Sequence, residues 1–151
     1  MGLMQSMRIS ASALLAQRLR MDVVANNVAN MNTTRTAGGG PYRRQSVVFA
    51  EQGRAVPFRD FLQRESGAPS ASGTGGGVHV TEIRQDNTPP RSVFDPQHPD
   101  ADPEGNVLLP DINIVTELTD LVSARRAYEA SVTVLNATKA MALRALEIGR
   151  A

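Results

Sequence analysis

Cysteine and tryptophan are both absent from this 151-residue sequence, and aromatic residues make up only 4% of it. Without cysteine there is no disulfide and no thiolate metal site, a composition compatible with the cytoplasm and the periplasm alike. The shortage of aromatics removes side chains that supply much of the buried area of compact cores. The apolar content, 41% of residues, rests instead on Leu, Val, Ile, Met and Ala, which suit thin helix–helix seams. No apolar run approaches the roughly 20 residues of a membrane span, so direct membrane insertion is not expected. The opening MGLMQSMRISASALLA is interrupted by Gln5, Ser6, Arg8 and Ser10. It lacks the unbroken apolar stretch of a cleavable signal, so any export is expected by a route that needs none.

A dominant charge is missing too, since the formal net charge is +1. Fifteen of the sixteen basic residues are Arg, and only Arg43/Arg44 and Arg125/Arg126 are adjacent. Arginine suits planar, multi-donor contacts with carboxylates. No basic stripe is interleaved with aromatics, which argues against a nucleic-acid partner.

What is present is helical periodicity at both ends. Over residues 3–32 the positions Met7, Ala11, Leu14, Met21, Ala25 and Val28 recur at helical spacings, broken at Arg18, and mark one narrow face. The turn-forming NMNTTRTAGGGP that follows predicts the helix end. After Pro110, with Asp111 as the expected cap, a second series runs through Ile114, Leu118, Leu121, Arg125, Tyr128, Val132, Leu135, Lys139, Ala142 and Leu146. Its spacing alternates four and three, and no Gly or Pro falls between Asp111 and Ile148. A helix this long with a narrow apolar seam seeks partner helices. Leu14, Met21, Val28, Ile114, Leu118, Leu121, Tyr128, Val132, Leu135 and Leu146 are therefore the expected assembly seam. Asn26, Asn27, Asn30, Arg125 and Arg126 are the expected polar contacts between helices, because amides donate and accept together and Arg can reach carboxylates such as Asp120 or Glu129.

Between the helices the composition changes. Residues 37–109 hold nearly all the Gly and Pro. Strands are predicted at Tyr42–Ala50, Val78–Ile83 and Arg91–Phe94, with Asn106–Leu109 a weaker fourth. Residues 66–77, SGAPSASGTGGG, read as a flexible loop. The expected class is α+β. Two long terminal α-helices (1–36 together with 110–151) pair as a coiled-coil-like stalk, with a small β-rich module at 37–109. An α+β domain with a helical hairpin packed on its sheet accounts for the same pattern.

Motifs for chemistry are weak. Asp100, Asp102 and Asp111 imitate a calcium loop, but Pro103 and Pro110 disturb it and Asp stands where a bidentate Glu belongs. The stretch reads as a Pro-stiffened turn. Gly38–Gly40 lacks the Lys of a phosphate-binding loop. His79 and His98 stand alone in their stretches. For cleavage of a glycan, Glu82, Asp86 and Asp95 qualify by residue class only. The expectation is no catalytic residue, no metal, no cofactor and no enzyme activity.

Four blocks carry a resemblance. Met21–Thr34, MDVVANNVANMNTT, and Ser123–Ala137, SARRAYEASVTVLNA, resemble the terminal signatures of the flagellar rod/hook axial protein family. Thr33–Gln45, TTRTAGGGPYRRQ, and Asp95–Asn113, DPQHPDADPEGNVLLPDIN, resemble its proximal-rod branch. Asn106 stands where the family pattern has an aromatic, and Leu118 and Leu121 where it has Met. The resemblance implies a structural subunit of the basal-body rod, exported by the flagellar type III apparatus and polymerising across the periplasm through its terminal helices. It would form the axial drive shaft and export channel. The implied partners are further copies of the chain and rod proteins of the FlgB, FlgF and FlgG types, with the FliE type at the rod base. A non-polymerising export adaptor or scaffold is the alternative.

Overall fold

A computed structural model of the chain describes residues 2–53 and 75–149. Its elements, in order, are α1 (Leu3–Ala29), β1 (Gln45–Glu51), β2 (Val78–Gln85), β3 (Arg91–Phe94), β4 (Asn106–Leu109) and α2 (Ile114–Ile148). The architecture is α+β: two long helices and two small antiparallel sheets, β1–β2 and β3–β4. Of the expected flexible loop, residues 66–74 lie outside the described residues.

The helix ends differ from the sequence expectation in ways that side-chain chemistry explains. α1 stops at Ala29 rather than continuing to residue 32. There Asn30 turns its amide back onto Asn26, bonding its carbonyl (2.9 Å) and its side-chain oxygen (2.7 Å). α2 is capped by Asn113, not Asp111. The Asn113 side chain accepts from the N–H groups of Val115 and Thr116, satisfying donors that have no partner within the helix.

The helices run antiparallel, since Asn27 meets Glu117 while Arg20 meets Asp120. The seam follows an alternation of three and four. On α1 it passes through Ser10, Ala13, Gln17, Arg20, Val24 and Asn27; on α2 through Glu117, Leu121, Ala124, Tyr128, Ser131, Leu135 and Thr138. Ser10, Val24, Asn27, Glu117, Ala124 and Thr138 are buried. Small and polar residues fill much of this seam, so close approach and hydrogen bonding complement apolar area in holding it.

β1 and β2 lie on one side of the hairpin, against α1. β1 begins at Gln45 rather than Tyr42, and its register with β2 shifts between Val48 and Phe49. The sheet is anchored by Ser12 of α1, whose hydroxyl accepts from the Val78 N–H (3.1 Å) and donates to the Ile9 carbonyl (2.8 Å). Gly77 makes this approach possible. Its φ is +116°, and a Cβ there would collide with the Ser12 hydroxyl, so only glycine suits the position.

One polar cluster ties the three parts together. Asn27 uses all four hydrogen-bonding positions of its amide. Its Nδ2 donates to the Gln45 carbonyl (2.8 Å) and to Glu117 Oε2 (3.0 Å). Its Oδ1 accepts from the Gln45 N–H (2.9 Å) and the Tyr42 hydroxyl (3.0 Å). Glu117, fully buried, also accepts from Arg44 Nε at 2.6 Å. Arg44 and Arg20 both reach Asp120, at 3.6 and 3.0 Å, so two cations face two carboxylates. Burial, reinforced by the negative charge of Glu117, holds the Tyr42 hydroxyl above its ordinary pKa of 10.0.

Arg44 and Tyr42 of this cluster are expected to matter more to stability than an exposed ion pair elsewhere on α2. Arg44→Ala leaves the Glu117 carboxylate buried and uncompensated, and is expected to cost about 3–5 kcal/mol in urea denaturation. Arg125→Ala, which removes only an exposed pair with Glu129, is expected to cost less than about 1 kcal/mol. For Tyr42 the folded pKa lies above the unfolded one. Its contribution is therefore complete below about pH 10 and is lost as pH rises through the raised value. Tyr42→Phe should cost about 1 kcal/mol at neutral pH and flatten the alkaline limb of the stability–pH curve.

Candidate assembly surface

A two-helix hairpin has two flanks beside its seam. In α1 the residues just before seam positions, Ile9, Ala16 and Val23, lie toward the β1–β2 sheet. Ala16 and Val23 are buried, and a hollow bounded by Val23, Val47, Phe49 and Asp120 marks the junction. The residues just after seam positions form the other flank. On α1 these are Met7, Leu14, Met21 and Val28, seven residues apart and each half-buried. On α2 they are Leu118, Arg125, Val132, Lys139 and Leu146, with Leu118 47% and Leu146 67% exposed. In an antiparallel pair these two flanks lie side by side. No described strand packs on α2.

The expected seam residues are therefore divided. Leu121, Tyr128 and Leu135 stand between the two helices. Leu14, Met21, Val28, Leu118, Val132 and Leu146 lie beside the seam, and Ile114, 41% exposed, sits at its open end. The reason is hydropathy. At Glu117, Ala124, Ser131 and Thr138 the true seam is polar or small, so an apolar pattern is drawn to the residue that follows each.

The polar expectations divide as well. Asn27 bridges to α2, whereas Asn26 and Asn30 bond to each other. Arg125 pairs with Glu129 on its own helix at 2.9 Å, and Arg126 is exposed. Sequence reasoning missed Arg44, Glu117 and Gln45. Only a tertiary contact gives them a role.

Beyond the start of α1 the second helix continues with no described element beside it. Counting from the Asn27–Glu117 level, Leu3 lies opposite Met141, and residues 143–149 are all exposed. This free end is about 10 Å long at 1.5 Å per residue and carries Leu143, Leu146 and Ile148.

Small-molecule chemistry finds little support here. A cleft of ≈ 100 Å³ lies among Gly39–Arg44, Asp86, Thr88, Pro90, Pro110 and Asp111, and the larger hollows, of ≈ 340, 470 and 560 Å³, are wide open to solvent. Asp86, at its rim, accepts from the Thr88 hydroxyl and N–H. These bonds hold its carboxyl below the usual carboxylate range. Among the described residues no three His, Asp or Glu side chains gather as metal ligands. The Asp95–Gly105 stretch is a series of turns closed by Gly105 and Asp102 hydrogen bonds.

Comparison with known proteins gives the chain's family. Residues 7–35 match the family model for flagella basal body rod protein. Residues 104–148 match the model for the C-terminal region of flagellar basal body rod FlgEFG proteins. The flagellar basal-body rod protein FlgC of Borreliella burgdorferi is 43% identical, with 98% of each chain aligned. That of Bacillus subtilis is 46% identical over 96% of this chain and 97% of the relative, and that of Escherichia coli O157:H7 is 35% identical over 99% and 100%. With identity of this level running from α1 through the β module to α2, the chain belongs to the FlgC family of flagellar basal-body rod proteins, structural subunits of the rod in the flagellar basal body.

Proposed function

We propose that the chain polymerises through its two terminal helices and so contributes to the axial drive shaft and export channel of the proximal rod. The observation that carries this is the half-covered hairpin. One flank is occupied by the chain's own sheet, while the α1 side of the other presents Met7, Leu14, Met21 and Val28 at intervals of seven, suited to a further helix. Residues 1–36 with 110–151 act as the assembly unit, and residues 37–109 as the module that distinguishes this subunit's position.

The partners are further copies of the chain and neighbouring rod proteins of the FlgB, FlgF and FlgG types, with the FliE type at the base. Delivery is by the flagellar type III export apparatus, across to the periplasm. The subunit has no catalytic role. Glu82 is tied to Arg84 on an open strand (2.9 Å) and Asp95 accepts from the Gln97 N–H in a turn. Among the described residues neither is paired with a second carboxylate across a cleft as glycan cleavage requires.

A rod subunit and a soluble adaptor differ in where they remain. The chain is expected to stay with purified basal bodies through a high-salt wash, and an adaptor would be removed. Leu135→Asp places a charge in the seam and should abolish swimming and rod incorporation while the chain is still exported. Persistent swimming would show that the hairpin is not what assembles.

A further inference from the structure

We propose that the outer face of the β3–β4 hairpin is a docking surface for a protein other than this chain, one that offers an apolar recess ringed by Lys or Arg. The inference goes beyond the assembly reading and concerns a part of the molecule that the paired helices do not use. Among the described elements, β3 and β4 pack only on each other. Their register sorts the side chains between two faces. Val93 is opposite Val107, and Val107, 2% exposed, turns inward. Ser92 with Leu108, and Phe94 with Asn106, take the other face. Phe94 and Leu108 are diagonal neighbours there, a spacing an aromatic ring can bridge. Phe94 is 70% exposed and Leu108 43%.

A scattered apolar residue on a surface is ordinary. This ring, however, is held in place. The connection between the strands closes through the Asp95 N–H on the Gly105 carbonyl (2.9 Å). Gly105 has φ +80°, and a Cβ there would come within 2.9 Å of the Phe94 ring and 3.4 Å of Pro96. Glycine at this point lets the ring settle beside Pro96 against bare backbone. The same turn is tied to the chain just past α1, where the Thr34 hydroxyl donates to Asp100 (2.7 Å). A fixed aromatic side chain loses little freedom on binding, and a few such anchors carry much of the energy of a protein interface.

Charge identifies the occupant. No Lys or Arg occurs between Arg91 and Arg125, a stretch with seven carboxylates. Arg44 and Arg20 neutralise Glu117 and Asp120. Asp95, Asp102 and Glu104, in the turn beside Phe94, are exposed and without a cation among the described residues. A surface of this charge repels the phosphates of lipid and nucleic acid and favours a basic protein. The described residues of the chain itself offer no matching recess. Its hollows with two Arg also hold Asp120, or Asp86 and Asp111. The two wider ones carry one Arg each, Arg126 and Arg8. The occupant is therefore a different protein.

A photoreactive benzoylphenylalanine in place of Phe94 tests this in cells whose only copy of the chain, at full length, carries it. The same residue in place of Leu15, 70% exposed on α1, is the control. The supporting result is one adduct with another protein, at a peptide containing apolar residues and at least two Lys or Arg. Asp102→Lys with Glu104→Lys must also lower its yield at least about ten-fold, because like charges then meet, and leave the Leu15 adducts unchanged. An adduct with a second copy of this chain or with lipid overturns the proposal. So does the absence of any adduct, or a yield insensitive to charge reversal. Circular dichroism of the purified chains separates lost docking from lost folding. If the reversed chain has lost helix, Asp102→Asn with Glu104→Gln is read in its place, with a fall of at least about three-fold expected from removing charge alone and an unchanged yield overturning the proposal.

Discussion

A carboxylate buried between two helices has to be neutralised or the helices will not close over it, and in this protein that carboxylate belongs to Glu117. Burying an unpaired charge costs several kcal/mol even after relaxation. Arg44 supplies the cation and Asn27 a further donor. Because Arg44 lies just before β1, neutralising Glu117 fixes where the chain leaves α1 and crosses the hairpin. Asn27 tightens the constraint by taking both backbone groups of Gln45, much as a neighbouring strand would. The start of β1 is thus set by a helix side chain. β2 follows through its pairing with β1 and its tie to Ser12.

That one constraint makes the hairpin two-sided. The sheet can occupy only the flank where Arg44 and Gln45 emerge, and the opposite flank keeps its apolar residues uncovered by any described strand. The polar cluster does not supply the largest share of stability. Its effect is on register: a slip of one residue between α1 and α2 would part Glu117 from Asn27 and Asp120 from Arg20, and a lost partner is most costly at the buried Glu117.

Much of the fold was legible in the sequence. The four strands, the two helices and the α+β class follow from alternation, helical spacing and the placement of Gly and Pro. Leu121, Tyr128 and Leu135 were found in the seam because they are large and apolar. The partners of those residues were not, since Glu117, Ser131 and Thr138 are polar and hydropathy assigns polar residues to the surface. On α1 the same difficulty is sharper: Ser10, Gln17, Arg20 and Asn27 line the seam, while the apolar series through Leu14, Met21 and Val28 lies beside it. Periodicity identified an apolar stripe on each helix but not what each stripe faces.

By itself the sequence determined the local elements, the need of both terminal helices for partners, and, through its resemblance to the rod/hook family, the kind of assembly involved. Those properties depend on residues near one another in the chain, where spacing and propensity act directly. Tertiary structure decided which helix faces meet, which flank the sheet covers and which remains open. That choice depends on whether a buried polar group finds its partner, and the partner of Glu117 lies 73 residues away at Arg44. No local pattern encodes such a pairing, because the energy of burying the charge is defined only once both groups have been brought together.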